Sequence, residues 1–107
     1  MRENEAFYRM LGLAARGRNI ASGEGAAMDS IRNKSARLVI LSADASENTA
    51  KKFKNSCEFY SVPCISAGDR YELGRAIGKG FAVVIAVNNE GLAKKICELS
   101  GSGSCTL

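Results

Sequence analysis

Two unbroken apolar runs, Arg37–Ser42 and Phe81–Val87, stand out in the pattern of hydrophobic and polar positions along the chain. Short runs rich in β-branched residues and bounded by polar turns are typical of strands buried on both faces of a sheet. Ile20–Ser22 and Val62–Ile65 have the character of shorter strands, and Pro63 suits a strand start or an edge. The pattern therefore predicts four strands.

The segments between these strands carry apolar residues at helical spacing. Glu47 and Glu72 each stand three residues after an Asp, which is the spacing of a capping box at a helix start. The predicted helices are Glu3–Ala15, Gly23–Asn33, one beginning at Asp44, one beginning at Asp69, and one capped by Asn88 or Asn89. Alternating helices and apolar strands imply helices on both faces of the sheet. We therefore predict an α/β fold, a three-layer α/β/α sandwich with a four-stranded mixed sheet.

The chain has 107 residues, which argues for one domain. That domain is expected over residues 1–99, followed by a disordered tail over 100–107, where the sequence is SGSGSCTL. The longest apolar run is too short to cross a bilayer, and no signal peptide is evident near Met1. The expected location is the cytoplasm, without membrane association.

Histidine is absent, which removes the usual neutral-pH general base and imidazole metal ligands. No two of the four cysteines have the C-x-x-C spacing of a zinc or redox site. Cys57, Cys64 and Cys97 occupy apolar positions and are expected to be shielded free thiols, with Cys105 exposed in the tail. We predict no enzymatic activity, no cofactor and no bound metal.

Basic and glycine-rich loops are the features that suggest a partner. The formal net charge is +4, which is compatible with nucleic acid. Gly23–Gly25 opens a helix after a strand, where free backbone N–H groups favour a phosphate, although a simple tight turn would also explain the glycines. The segment from Gly74 to Gly80 has the wrong spacing for a phosphate-binding loop. If the strands bring them to one edge, the Arg16/Arg18, Gly23–Gly25 and Gly78–Gly80 loops would form a surface that RNA backbone can approach.

Four stretches resemble the bacterial YlxQ family, a branch of the ribosomal-protein superfamily that binds kink-turn RNA. They are FYRMLGLAARGRNIASGE, RLVILSADASENTAKKFKNSCEFYSVP, GDRYELGRAIGKGFAVVIAV and NEGLAKKI, and together they span about residues 5–99. The resemblance implies the same sandwich and a non-enzymatic RNA-binding role linked to the ribosome or to translation. It also implies structured RNA as partner, with ribosomal RNA a candidate.

In kink-turn binders of that superfamily three loops hold the RNA, and they correspond here to Gly23–Asp29, Ser42–Ser46 and Gly78–Ala82. The family pattern in the first loop is Gly-x-Asn-Glu-x-x-Lys. This chain keeps the glycine but has Gly25 for the Asn, Ala26 for the Glu and Asp29 for the Lys. The candidate RNA-binding residues are Arg16, Arg18, Gly23, Glu24, Gly25, Ala26, Asp29, Asp44, Gly78, Lys79 and Gly80.

These departures leave two hypotheses open. In the first, the protein contacts structured RNA mainly through backbone and shape, because Gly25 and Ala26 offer no side chain that reads a base edge. In the second, the fold is a protein-interaction module whose RNA face has decayed, with a ribosomal or other protein as partner. Asp29, which would repel phosphates, favours the second hypothesis, whereas the basic residues Arg16, Arg18 and Lys79 favour the first.

Overall fold

The computed structural model describes residues 5–100. Five helices alternate with four strands along this part of the chain. The helices are α1 (Glu5–Arg16), α2 (Glu24–Arg32), α3 (Glu47–Tyr60), α4 (Arg70–Ala76) and α5 (Glu90–Leu99). The strands are β1 (Ile20–Ser22), β2 (Leu38–Leu41), β3 (Cys64–Ser66) and β4 (Val84–Val87). The predicted element order is confirmed.

The strands form one mixed sheet in the order β1-β4-β2-β3. β2 and β3 run parallel, whereas β4 is antiparallel to both β1 and β2. The register pairs Leu41 with Ser66 and with Val84, and Ser22 with Ile85. The ends of β1, β2 and β3 therefore meet the start of β4 at one end of the sheet. We call this end, with the connections at 23, 42–46, 67–69 and 81–83, the upper edge, and the opposite end the lower edge.

Each face of the sheet has its own apolar core, because successive side chains on a strand point to opposite faces. Leu38 and Ile40 of β2 pack with residues of α1, α4 and α5, and Val39 and Leu41 pack with residues of α2 and α3. All four residues of β2 and of β4 are buried. The predicted three-layer α/β/α sandwich is thus confirmed.

Three boundary predictions are wrong. The strand predicted at Val62–Ile65 begins at Cys64 and ends at Ser66. The third helix begins at Glu47, and its N-cap is Ser46, whose side chain accepts a hydrogen bond from the Thr49 N–H. Asp44 cannot serve as the cap because its carboxylate accepts hydrogen bonds from Arg70. The last strand begins at Val84, and Phe81 is 61% exposed. The predicted capping box of Asp69 and Glu72 is present, and of the two asparagines proposed for α5 it is Asn89 that caps the helix.

Cysteine chemistry matches the prediction at two positions and departs from it at a third. Cys57 is buried, Cys64 is half-buried, and both are free thiols. The expectation of a free thiol at Cys97 is wrong, since this residue is disulfide-bonded. Spacing did not indicate the bond, because no other cysteine stands at a motif distance from Cys97. The predictions for Cys105 and for the tail beyond Ser100 lie outside the described residues.

Among residues 5–100, no helix combines the length and the apolar character needed to cross a membrane. The same part of the chain holds no group of three or more Cys, Asp or Glu side chains arranged to bind a metal ion.

Candidate nucleic-acid interface

Gly23 shapes the turn that enters α2 at the upper edge. Its backbone has a φ of 95°, which L side chains rarely adopt, and its N–H donates to the Val84 carbonyl at 3.0 Å. No side chain caps the helix, so its first N–H groups face outward without a side-chain acceptor. Apart from the adjoining backbone, no atom of the described residues lies within 4 Å of a Cβ built on Gly23 or on Gly25. An anion can therefore approach the backbone closely here.

The outer surface of α2 carries the departures from the family pattern. Gly25, Ala26 and Asp29 are all exposed, so nothing in the fold hides them from a partner at this edge. Glu24 is engaged with α3 instead: its carboxylate accepts a hydrogen bond from Thr49 Oγ1 at 3.4 Å, and Lys52 Nζ lies 3.9 Å away. The start of α2 thus offers backbone amides, and further along the helix Asp29 offers a carboxylate that has no ion pair among residues 5–100.

Asp44 anchors the β2–α3 connection to α4. Its carboxylate accepts hydrogen bonds from the N–H and the Nε of Arg70, both at 3.2 Å, and the Arg70 guanidinium also donates to the Asp44 carbonyl at 2.9 Å. The Ser42 hydroxyl and Arg70 hold the pKa of the Asp44 carboxyl below its ordinary value. Asp44 therefore has a structural role at the upper edge, and its carboxylate is already occupied.

The α4–β4 connection carries an exposed aromatic ring, although the sequence pattern predicted that this ring is buried. Phe81 is exposed, and it follows the exposed turn Gly78–Gly80, in which Gly78 has a φ of 79°. A Cβ on Gly74 would lie 2.4 Å from Phe81 Cα, so α4 can hold this segment only because Gly74 lacks a side chain. Ser42 N–H donates to the Val83 carbonyl at 2.8 Å and ties the segment to β2. The sequence feature that could have indicated the exposure of Phe81 is its position directly after a Gly-Lys-Gly turn.

The structure does not bring all three predicted loops together. Ile20 pairs with Val87, and the Asn19 carbonyl accepts from the Asn88 N–H at 2.7 Å, which puts the turn containing Arg18 at the lower edge. The reason is that β1 lies between this turn and Gly23, so the two flank opposite ends of one strand. Arg16 instead lines a surface pocket with Arg75 and Ala76 of α4 and with Gly78 of the turn that follows α4. The Gly23 turn, the β2–α3 connection and the segment 81–83 remain grouped at the upper edge, and the Gly78–Gly80 turn leads into that segment.

The chain has a four-stranded mixed sheet between helical layers, and a glycine turn precedes α2 near an exposed segment with an aromatic ring. These features together define a recognisable class of protein. Residues 5–97 match the model of the ribosomal protein L7Ae/L30e/S12e/Gadd45 family, and the chain belongs to that family. It is 46% identical over 93 residues to the RNA-binding protein YlxQ of Bacillus subtilis (strain 168), covering 87% of this chain and 93% of the relative. It is 41% identical over 90 residues to the RNA-binding protein YlxQ of Enterococcus faecium, covering 84% and 86%.

Two solved structures share the architecture. A protein of unknown function from Bacillus halodurans C superposes with a TM-score of 0.87 at 41% identity, covering 90% of this chain and 97% of the other. The Giardia lamblia 15.5kD RNA binding protein superposes with a TM-score of 0.78 at 24% identity, covering 94% and 88%. At that identity the second likeness shows the fold alone. The predicted resemblance to the YlxQ family is confirmed.

Proposed function

We propose that this protein is a non-enzymatic, cytoplasmic RNA-binding protein that holds structured, kink-turn-like RNA at the upper edge, mainly through backbone and shape. The observation that carries the proposal is the grouping there of the uncapped start of α2 with the exposed Phe81 segment, into which the glycine turn with Lys79 leads. The RNA-binding names of the two YlxQ relatives support the same reading. A role on the ribosome or in translation, with ribosomal RNA as ligand, is part of the proposal.

Phosphate contacts would supply most of the affinity. The outward N–H groups of α2 favour an anion, because they lack side-chain acceptors and lie at the positive end of the helix dipole. Lys79 is exposed and has no ion pair among residues 5–100, so its charge is available to a phosphate. Contacts of this kind fix the position of an RNA without reading its sequence.

Phe81 would supply a stacking platform for one unpaired base. Phe59 and Tyr71 are also exposed, so exposure alone does not mark a site; what supports this role is the position of Phe81 directly after the Gly78–Gly80 turn. Stacking of a base on an aromatic side chain contributes about 1–3 kcal/mol and tolerates any sequence. A ring beside a phosphate-binding turn therefore suits an RNA in which a base is turned out of its helix.

Sequence readout is expected to be weak, because the exposed positions of α2 lack base-reading groups. Gly25 and Ala26 cannot donate or accept at a base edge, and Asp29 would repel a nearby phosphate. Asp29→Lys should strengthen binding by about 1 kcal/mol at low salt and by less at high salt, because salt screens surface charges. Kink-turn specificity should require Gly25→Asn and Ala26→Glu as well.

The test is filter binding at several salt concentrations with two RNAs of equal length, a kink-turn hairpin and a regular hairpin. Lys79→Glu and Phe81→Ala should each weaken binding of the kink-turn hairpin. Lys34→Glu is the matched control, because Lys34 is exposed near the lower edge. The proposal predicts no effect of the control beyond the general change in net charge.

A protein-interaction module on the same fold is the second candidate, and the absence of base-reading side chains at Gly25 and Ala26 together with Asp29 favours it. It predicts that Asp29→Lys and Lys79→Glu both leave RNA affinity unchanged. Crosslinking in cells, followed by identification of the attached molecules, separates the two functions. Ribosomal or other structured RNA on the protein supports the first, and protein adducts without RNA support the second.

A further inference from the structure

A cleft on the side of the molecule away from α2 and α3 lies between the ends of α1 and α4. A Cβ on Gly12 would stand 2.9 Å from the Ala76 carbonyl oxygen, so the helices approach closely because Gly12 lacks a side chain. The resulting pocket has a volume of about 360 Å³. Apart from Ile77, its walls are small or basic residues, namely Gly12, Ala15, Arg16, Arg75, Ala76 and Gly78.

The two arginines of this cleft have no side-chain partner in the part of the chain that the structure describes. Arg16 and Arg75 are exposed and make no ion pair or side-chain hydrogen bond within residues 5–100. Arg9 and Arg70, in contrast, are held by Glu5 and Asp44. No carboxylate is among the residues that line the cleft. The charged residues in its lining are therefore all basic.

Each arginine alone has an ordinary explanation, since a basic residue in the last turn of a helix complements the helix dipole. The dipole does not require that both guanidinium groups flank one cleft, nor that small residues leave the space between them open. Guanidinium groups present forked donors that match phosphate oxygens. An extended anion whose backbone can lie against Gly12, Ala15 and Gly78 fits this arrangement.

We infer that the cleft between Arg16 and Arg75 is a second phosphate-binding site, which holds the RNA strand that leaves the upper edge past Gly78. This inference rests on the proposed function, because Gly78 joins the cleft to the segment that carries Lys79 and Phe81. The ligand is the sugar–phosphate backbone of one stem of the same RNA. The site extends the contact surface from the upper edge onto α1 and α4.

The test compares a kink-turn hairpin with short stems and two forms in which one stem or the other is extended by a helical turn. The variant is Arg16→Gln with Arg75→Gln, and the control is Arg32→Gln with Lys34→Gln near the lower edge, which removes the same charge. Far-UV circular dichroism and thermal unfolding verify that each variant is folded. The wild-type protein should bind one extended form several-fold more tightly than the short form.

The cleft variant should bind the extended form no more tightly than the short form. Its affinity for the short form should stay within about twofold of the wild-type value. Its log–log salt slope for the extended form should be lower by about 1.8, for two contacts. The control should keep the advantage. Three results would show that the cleft is not a separate site. The variant could weaken binding of all three RNAs equally, it could keep the preference for the extended form, or the wild-type protein could bind all three RNAs with the same affinity. The proposed function stands in those cases. Failure of wild type to bind any of them overturns both.

Discussion

Gly74 offers a sharp test of how α4 holds the Phe81 segment. Alanine is a better helix former than glycine by about 1 kcal/mol, so propensity alone predicts that Gly74→Ala stabilises the protein. The structure predicts the reverse. The new Cβ would lie 2.4 Å from Phe81 Cα, 2.6 Å from its N and 2.7 Å from its carbonyl carbon. These are backbone atoms, so no side-chain rotation relieves the overlap.

The magnitude follows from the displacement that is needed. Carbon atoms pack at about 3.5–4.0 Å, so the Phe81 segment would have to move by about 1 Å. The Ala82 N–H bond to the Arg70 carbonyl, at 2.8 Å, and the burial of Ala82 oppose this movement. Overpacking of this kind costs about 1–3 kcal/mol, and the upper end applies because backbone must shift. After the gain in helix propensity, a net loss of about 2 kcal/mol is expected.

Urea unfolding followed by far-UV circular dichroism measures this loss, and thermal unfolding should show a Tm lower by about 8–16 °C. Gly25→Ala is the matched control, because it also lies in a helix but has no atom within 4 Å of the built Cβ. The control should be neutral or stabilised by up to about 1 kcal/mol. A Gly74→Ala protein as stable as wild type would refute the close approach of α4 to Phe81.

Three further predictions concern single groups. Ser46→Ala should cost about 1 kcal/mol of stability in urea unfolding, because it removes the N-cap of α3; no change would place the cap elsewhere. The Ser42 hydroxyl and Arg70 lower the pKa of Asp44, so their contacts with its carboxylate stabilise the fold at pH values above the ordinary range of an aspartate, and this effect is lost as the pH falls through the folded-state value. Asp44→Asn should therefore remove part of the acid dependence of the Tm, and an unchanged profile would contradict the link. A hydrogen bond between the thiols and burial raise the pKa of Cys57, whereas that bond lowers the pKa of Cys64. Iodoacetamide at neutral pH should thus modify Cys64 before Cys57, as read by peptide mass spectrometry, and the reverse order would count against this assignment.

The upper edge could be predicted in part from the family pattern and in part not at all. The departures at Gly25, Ala26 and Asp29 were visible in the sequence, and the structure leaves all three exposed. The exposure of Phe81 could not be predicted, because an apolar residue at the start of an apolar run has the pattern of a buried strand. Its exposure depends on Gly74 and on the hydrogen bond of Ala82, which are contacts with a different element.

Sequence alone determined the number and order of the helices and strands, and the two-sided burial of β2 and β4. These features depend on hydrophobic period and on turn residues, which act over a few neighbouring positions. It also determined the cap at Asp69, since a capping box is a local hydrogen-bond pattern.

Tertiary structure alone decided which ends of the elements meet. The strand order β1-β4-β2-β3 places Arg18 at the lower edge, and the packing of α1 on α4 puts Arg16 beside Arg75. Likewise, the carboxylate of Asp44 bonds to Arg70, and the N-cap of α3 is Ser46 instead of Asp44. Each of these outcomes joins residues far apart in the chain, so their local sequences contain no periodic or capping signal for it. Long-range pairing and close backbone approach fixed the surface that a partner meets.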